Sequence, residues 1–202
     1  MRWLKNLNTP NKLTLVRMLC VILIVVFGML ELYLTNISSF TVLGLTYTWT
    51  RVVLLFLFIF GSFTDFLDGN IARKRNQVTT FGKFLDPIAD KLLVNTITIF
   101  LVLYGNINVI VLVIFLIRDT LVDGLRFVAA QKNVVIAASK LGKAKTISQM
   151  VAIIVVLVLQ ATPLNWAISI GEILAYIAAL ISLVSGIDYI IKNAKVISPE
   201  DK

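Results

Sequence analysis

"DFLDGNIARKRNQVTTFGKFLDPIAD", residues 65 to 90, sets four aspartates at the edges of two long apolar runs. A carboxylate inside a membrane-length run costs roughly a few kcal/mol to insert, so four of them require a reason. Asp65 and Asp68 are spaced i,i+3 and Asp86 and Asp90 i,i+4, which puts each pair on one helix face. The basic loop "RKRNQVTT" joins the two runs as antiparallel neighbours. Asp65 lies eight residues before Arg73, roughly 12 Å along a helix at 1.5 Å per residue. Asp90 lies at a similar distance beyond Lys83, so the four acids can converge at one level.

The rest of the chain is membrane material. Of its 202 residues 58% are hydrophobic and 15% charged, against roughly a quarter charged in soluble domains. The mean hydropathy is +0.92. Apolar runs of spanning length recur throughout, which predicts an all-α polytopic protein forming a single domain over 1–202. Six helices are expected, over about 13–33, 51–74, 80–104, 108–130, 143–161 and 166–192. The first run leads directly into further spans, which argues against a cleaved signal peptide. "MRWLKNL" at the start reads as a short juxtamembrane helix lying on the leaflet, with a disordered tail as the competing reading. Cys20 sits in an apolar run and reads as a small buried hydrophobe.

The net charge of +8 is informative by position. Arg2, Lys5 and Lys12, then Arg73, Lys74, Arg75 and Lys83, mark one side of the membrane. Lys132, Lys140, Lys143, Lys145, Lys192, Lys195 and Lys202 continue that side, against Arg51 alone on the other. The positive-inside rule then puts both termini in the cytoplasm, in the cell membrane, with the acid cluster facing the cytoplasm. No soluble basic domain exists to carry a nucleic-acid site, so the partners expected are membrane lipids.

Four ionised carboxylates at one depth repel one another unless a cation holds them. Oxygen ligands suit a hard divalent ion such as Mg²⁺ or Mn²⁺, which keeps positions open for water and phosphate. Gly69, Ala72 and Gly82 stand between the acids and leave room for a ligand or a close helix approach. Pairing with Arg73, Lys83 and Lys91 is the structural alternative. Pro87 either starts the third helix near Asp86 or kinks it, and the kink is preferred because the stretch from Thr80 must also present Gly82.

The pattern Asp65-x2-Asp68-Gly69-x2-Ala72-Arg73-x8-Gly82-x3-Asp86-x3-Asp90 resembles the signature of the CDP-alcohol phosphotransferase family at every position. The six-helix layout is also similar to that family. The resemblance implies two metal ions, Mg²⁺ or Mn²⁺, with Asp65, Asp68 and Asp86 as ligands and Asp90 beside the second ion. It implies a CDP-linked lipid such as CDP-diacylglycerol, resting against Gly69, Ala72, Arg73 and Gly82, with Asp90 as general base. The absence of histidine agrees with a carboxylate base. "NTPNKLTLVR", residues 8 to 17, resembles the family's lead-in to its first helix. Asn11, Thr14 and Arg17 are candidates to reach the nucleotide, with capping and snorkelling as competing readings. The family also implies a homodimer.

The acceptor has to be read elsewhere. "IRDTLVDGLRF", residues 117 to 127, buries Arg118, Asp119, Asp123 and Arg126 in an apolar helix, where Asp123 can pair with Arg126 one turn away. "AASKLGKAKT", residues 137 to 146, adds Ser139, Lys140, Lys143 and Lys145, for which a plain positive-inside loop is the simpler reading. Cations gathered beside a metal site suit an acceptor that carries a phosphate. These two stretches resemble the branch of the family that makes phosphatidylglycerophosphate in bacteria. The resemblance implies transfer to glycerol 3-phosphate with release of CMP, the acceptor phosphate held by Arg118, Arg126, Ser139, Lys140 and Lys143. Transfer to inositol phosphate is the nearest alternative. An Asp-rich intramembrane prenyltransferase and a cation carrier are the alternatives from other classes.

Overall fold

The computed structural model describes residues 9–34, 38–42, 45–74, 80–134, 136–137, 139–159 and 165–194. The chain forms α1 (Thr9–Tyr33), β1 (Ser39–Val42), β2 (Leu45–Thr48), α2 (Trp49–Lys74), α3 (Thr80–Leu103), α4 (Val109–Gln131), α5 (Lys140–Leu159) and α6 (Asn165–Lys192). Long runs of Leu, Ile, Val and Phe settle as helices because a helix satisfies every backbone N–H and C=O within its own segment. Among the described residues, three helical stretches are long and apolar enough to cross a membrane: Asn11–Tyr33, Lys140–Leu159 and Ile170–Lys192. This is a helical membrane protein. α3 and α4 are of similar length but carry charges within the helix, which dilutes their apolar character. The helix expected over residues 1–7 lies outside the described residues.

Helix ends differ from the sequence reading where local caps decide them. α5 begins at Lys140 because the Ser139 hydroxyl accepts the Gly142 N–H at 2.9 Å, satisfying one of the first-turn donors. Among the described residues α1 runs from Thr9, a turn earlier than expected. α3 runs from Thr80 through Pro87, so a start at Asp86 is excluded. Proline there removes only the bond that the Lys83 carbonyl would accept, close to the helix start.

The hairpin between α1 and α2 was not expected from the sequence. "SFTV" and "LTYT" pair antiparallel, Ser39 opposite Thr48 and Phe40 opposite Tyr47. β-branched and aromatic residues favour such a pair, and the Phe40 ring lies 5.9 Å from Tyr47 and 4.6 Å from Trp49. Behind the hairpin, the buried Glu31 carboxylate receives Arg51 Nε at 2.7 Å and the Thr48 hydroxyl at 2.9 Å, and the Thr50 hydroxyl as well. The Tyr104 hydroxyl donates to the Gly28 carbonyl at 2.9 Å. Together these contacts tie the end of α1, the start of α2 and the end of α3 into one end of the bundle.

Between the two ends, Ile24, Leu54, Phe58, Leu93, Ile97 and Leu101 are fully buried and lock α1, α2 and α3 together. Gly61 sets the α2–α3 distance: a Cβ there would lie 2.8 Å from Leu93 Cδ2. Its carbonyl accepts from Arg17 Nε at 3.3 Å and from the Thr64 hydroxyl at 2.7 Å. On the other side of the bundle Val122, Leu125 and Tyr189 pack α4 on α6.

Candidate active site

Three polar residues of α1 share one stripe. Asn11, Thr14 and Arg17 follow at i,i+3 spacing and are all buried, continuing into Cys20, Val21 and Ile24 on the same face. A stripe that is apolar at one end of the helix and polar at the other requires polar neighbours at that second end. The Thr14 hydroxyl finds one, donating to Asp86 Oδ1 across 72 residues of sequence. Snorkelling to solvent therefore does not describe Arg17, which is wholly enclosed.

Asp86 and Asp90 are both half-buried on α3, one turn apart, and Gly82 is buried one turn before Asp86. The side chains of Asp65, Asp68, Ala72 and Arg73, and the surroundings of Gly69, lie outside the described residues. Among the described residues no group of three metal-ligating side chains stands together. Among the described residues the donor set is oxygen only, with the Thr14 hydroxyl oriented on one carboxylate. That set fits a hard divalent cation.

Asp90 also lines a cavity of about 420 Å³. Its wall comes from α3 (Asp90, Lys91), α4 (Arg118, Asp119, Val122, Asp123, Arg126), the start of α5 (Ser139, Gly142, Lys143, Lys145, Thr146, Ile147) and α6 (Tyr189). Five cations face three carboxylates there. Asp119 sits on the buried stripe of α4 with Val111, Phe115, Val122 and Leu125. Its carboxylate is shared: Lys145 Nζ donates to both oxygens at 2.8 Å, and Arg118 Nη1 donates to Oδ1 at 2.9 Å. One negative charge thus serves two buried cations, and Lys145 also lies 5.9 Å over the Phe115 ring.

Arg118 is held a second time, through Nη2 to the Ser185 hydroxyl at 3.0 Å. Arg126 Nε donates to the Tyr189 hydroxyl at 3.0 Å, and its guanidinium carbon lies 5.4 Å from that ring's centre. Among the described residues, neither Arg126 nor Lys143 has a carboxylate partner.

Three side chains sit differently from what the sequence led us to expect. Asp123 pairs with Lys91 of α3, not with Arg126, because α3 passes alongside α4 and offers a nearer cation. Lys140 is exposed at the first position of α5 and does not line the cavity, whereas Arg118, Arg126, Ser139 and Lys143 do. Lys145, treated as part of a basic edge, is buried inside. Helical spacing carries that signal: Lys145, Gln149, Ala152, Ile153 and Val156 form the buried stripe of α5. Tyr189 and Ser185 gave no such hint, since nothing local marks a hydroxyl that meets an arginine more than sixty residues away.

The model of the CDP-alcohol phosphatidyltransferase family matches residues 7–184. A Rickettsia prowazekii protein named CDP-diacylglycerol–glycerol-3-phosphate 3-phosphatidyltransferase is 40% identical over 90% of this chain and 93% of its own length. Proteins of the same name from Rickettsia typhi and Bacillus subtilis are 39% and 37% identical, over 90% and 92% of this chain and 94% and 95% of theirs. The signature aspartates, the length of the match and the helical architecture lead to one conclusion: the chain belongs to the CDP-alcohol phosphatidyltransferase family.

Proposed function

We propose that this protein transfers the phosphatidyl group of CDP-diacylglycerol to glycerol 3-phosphate, giving phosphatidylglycerophosphate and CMP in anionic phospholipid synthesis. One observation carries the acceptor: the cavity next to Asp90 has more cations than carboxylates, and two of the cations lack a carboxylate partner among the described residues. An acceptor that brings its own phosphate supplies the missing negative charge. A neutral alcohol would leave that charge uncompensated. The relatives' shared name points the same way.

Asp65, Asp68, Asp86 and Asp90 would hold two divalent cations, Mg²⁺ or Mn²⁺, which would supply Lewis-acid stabilisation of the charge that develops on the diphosphate and on the departing CMP. The Thr14 hydroxyl fixes the orientation of Asp86. Gly69, Ala72, Arg73 and Gly82, with Asn11 and Thr14, receive the cytidine and diphosphate. Arg118, Arg126, Lys143 and Lys145 hold the acceptor phosphate, with Ser139 shaping the start of α5 beside it. Asp90 borders the acceptor cavity and takes the proton of the acceptor hydroxyl. The hydroxyl oxygen then bonds to the lipid-side phosphorus as the bond to CMP breaks.

The protein is a single multi-pass domain of the cell membrane with six spans. Both termini and the active site face the cytoplasm, a reading supported by the side on which the basic loops gather. Assembly as a homodimer rests on the family resemblance. The deciding experiment supplies purified protein with CDP-diacylglycerol, Mg²⁺ and separate acceptors, and measures CMP release. Glycerol 3-phosphate is expected to outperform free glycerol and inositol phosphate. Preference for inositol phosphate would overturn the acceptor and leave the donor chemistry standing.

A further inference from the structure

α6 has no part in the family signature or in the basic loops, yet it touches both arginines of the cavity. Its last turns read "SGIDY", residues 185 to 189. Ser185 and Tyr189 are one turn apart and face α4, each almost fully enclosed. The Ser185 hydroxyl accepts from Arg118 Nη2 at 3.0 Å, and the Tyr189 hydroxyl accepts from Arg126 Nε at 3.0 Å. Between them Gly186 gives the Arg118 stem its path: a Cβ there would stand 2.8 Å from Arg118 Cγ and 3.8 Å from its Cβ. Each arginine is therefore gripped by a hydroxyl from α6. Arg118 is gripped by Asp119 on one nitrogen and by Ser185 on the other. Arg126, which has no carboxylate partner among the described residues, is held by the hydroxyl and face of Tyr189.

We propose that Ser185, Gly186 and Tyr189 of α6 are positioning residues that set affinity for the phosphorylated acceptor by aiming Arg118 and Arg126 into the cavity. The inference rests on the acceptor reading above and adds α6 to it. An arginine fork recognises phosphate through direction as much as charge. A guanidinium left to rotate would still attract the anion but would lose its preferred geometry. The donor contacts proposed above come from α1, α2 and α3, and none of them from α6.

The test uses the full-length protein with CDP-diacylglycerol and glycerol 3-phosphate, measuring both KM values and kcat for wild type, Gly186→Ala, Tyr189→Phe and Tyr189→Leu. Gly186→Ala pushes the Arg118 stem aside, and the KM for glycerol 3-phosphate should rise about tenfold. Tyr189→Phe removes one oxygen and keeps the ring, so it preserves packing should Gly186→Ala fail to fold. It should raise the same KM about threefold, and Tyr189→Leu, which also loses the cation–ring contact, should raise it further. The KM for CDP-diacylglycerol should stay within twofold throughout. Unchanged acceptor KM in the folded tyrosine variants, or an equal rise in both KM values, overturns the positioning role alone. No transfer to glycerol 3-phosphate by the wild type overturns the acceptor reading and this proposal with it.

Discussion

The two ends of the helix bundle contain the same chemical groups and use them in opposite ways. At the hairpin end, Glu31 is matched with one cation, Arg51, and two threonine hydroxyls close around it. At the other end, Asp119 is divided between Arg118 and Lys145, and further cations line an open cavity. Balanced charge with saturated hydrogen bonds makes a closed knot that joins α1 to α2. Unbalanced charge around a cavity suits the anionic acceptor proposed above. Burial alone does not separate the two, since Glu31 and Asp119 are similarly enclosed. The ratio of cations to carboxylates does.

The comparison breaks first at Asp86. Asp86→Asn should abolish CMP release while the protein remains folded and inserted, because the site end is organised for chemistry. Near-normal turnover at ordinary Mg²⁺ would remove Asp86 from the metal set. The matching change at the closed end is Glu31→Ala, which leaves Arg51 without its carboxylate. Breaking a buried pair from one side costs about 3–5 kcal/mol, with the lower figure expected because Arg51 is partly exposed. Thermal unfolding should drop accordingly, while both KM values of the folded fraction stay unchanged. A shift in KM would mean the ends are coupled.

Arg118→Ala comes next. A lost charged hydrogen bond is worth roughly 1.5–3 kcal/mol, so the KM for glycerol 3-phosphate should rise about ten- to a hundredfold with the donor KM barely moved. Unfolding of this variant would instead place Arg118 with Arg51 as a structural cation. The smallest effect sharpens the boundary of the cavity. Lys140→Ala should change the acceptor KM less than twofold, whereas Lys143→Ala, three residues along and facing the cavity, should raise it severalfold.

Much of this architecture was legible from residue order. Helices need only local periodicity, and the six expected helices match the six helices of the described residues to within a few residues, the start of α5 moving where Ser139 supplies a cap. The hairpin was missed because its strands have four residues each, too short for alternation to stand out from an apolar background. The acids of the site were visible because charge within apolar sequence is conspicuous at any position.

What the sequence determined by itself was the class of the protein and the positions of its carboxylates, since both depend on residue type at short, fixed spacing. Partnership was decided only by tertiary structure. Thr14 meets Asp86, Lys91 meets Asp123, Lys145 turns inward to Asp119, and α6 supplies hydroxyls to both arginines. A charge in a helix shows that some partner is needed, because an unpaired one is costly to bury. Which partner answers depends on the helix that packs beside it, and that is settled by the shapes of apolar faces such as Gly61 on Leu93 and Gly186 on Arg118.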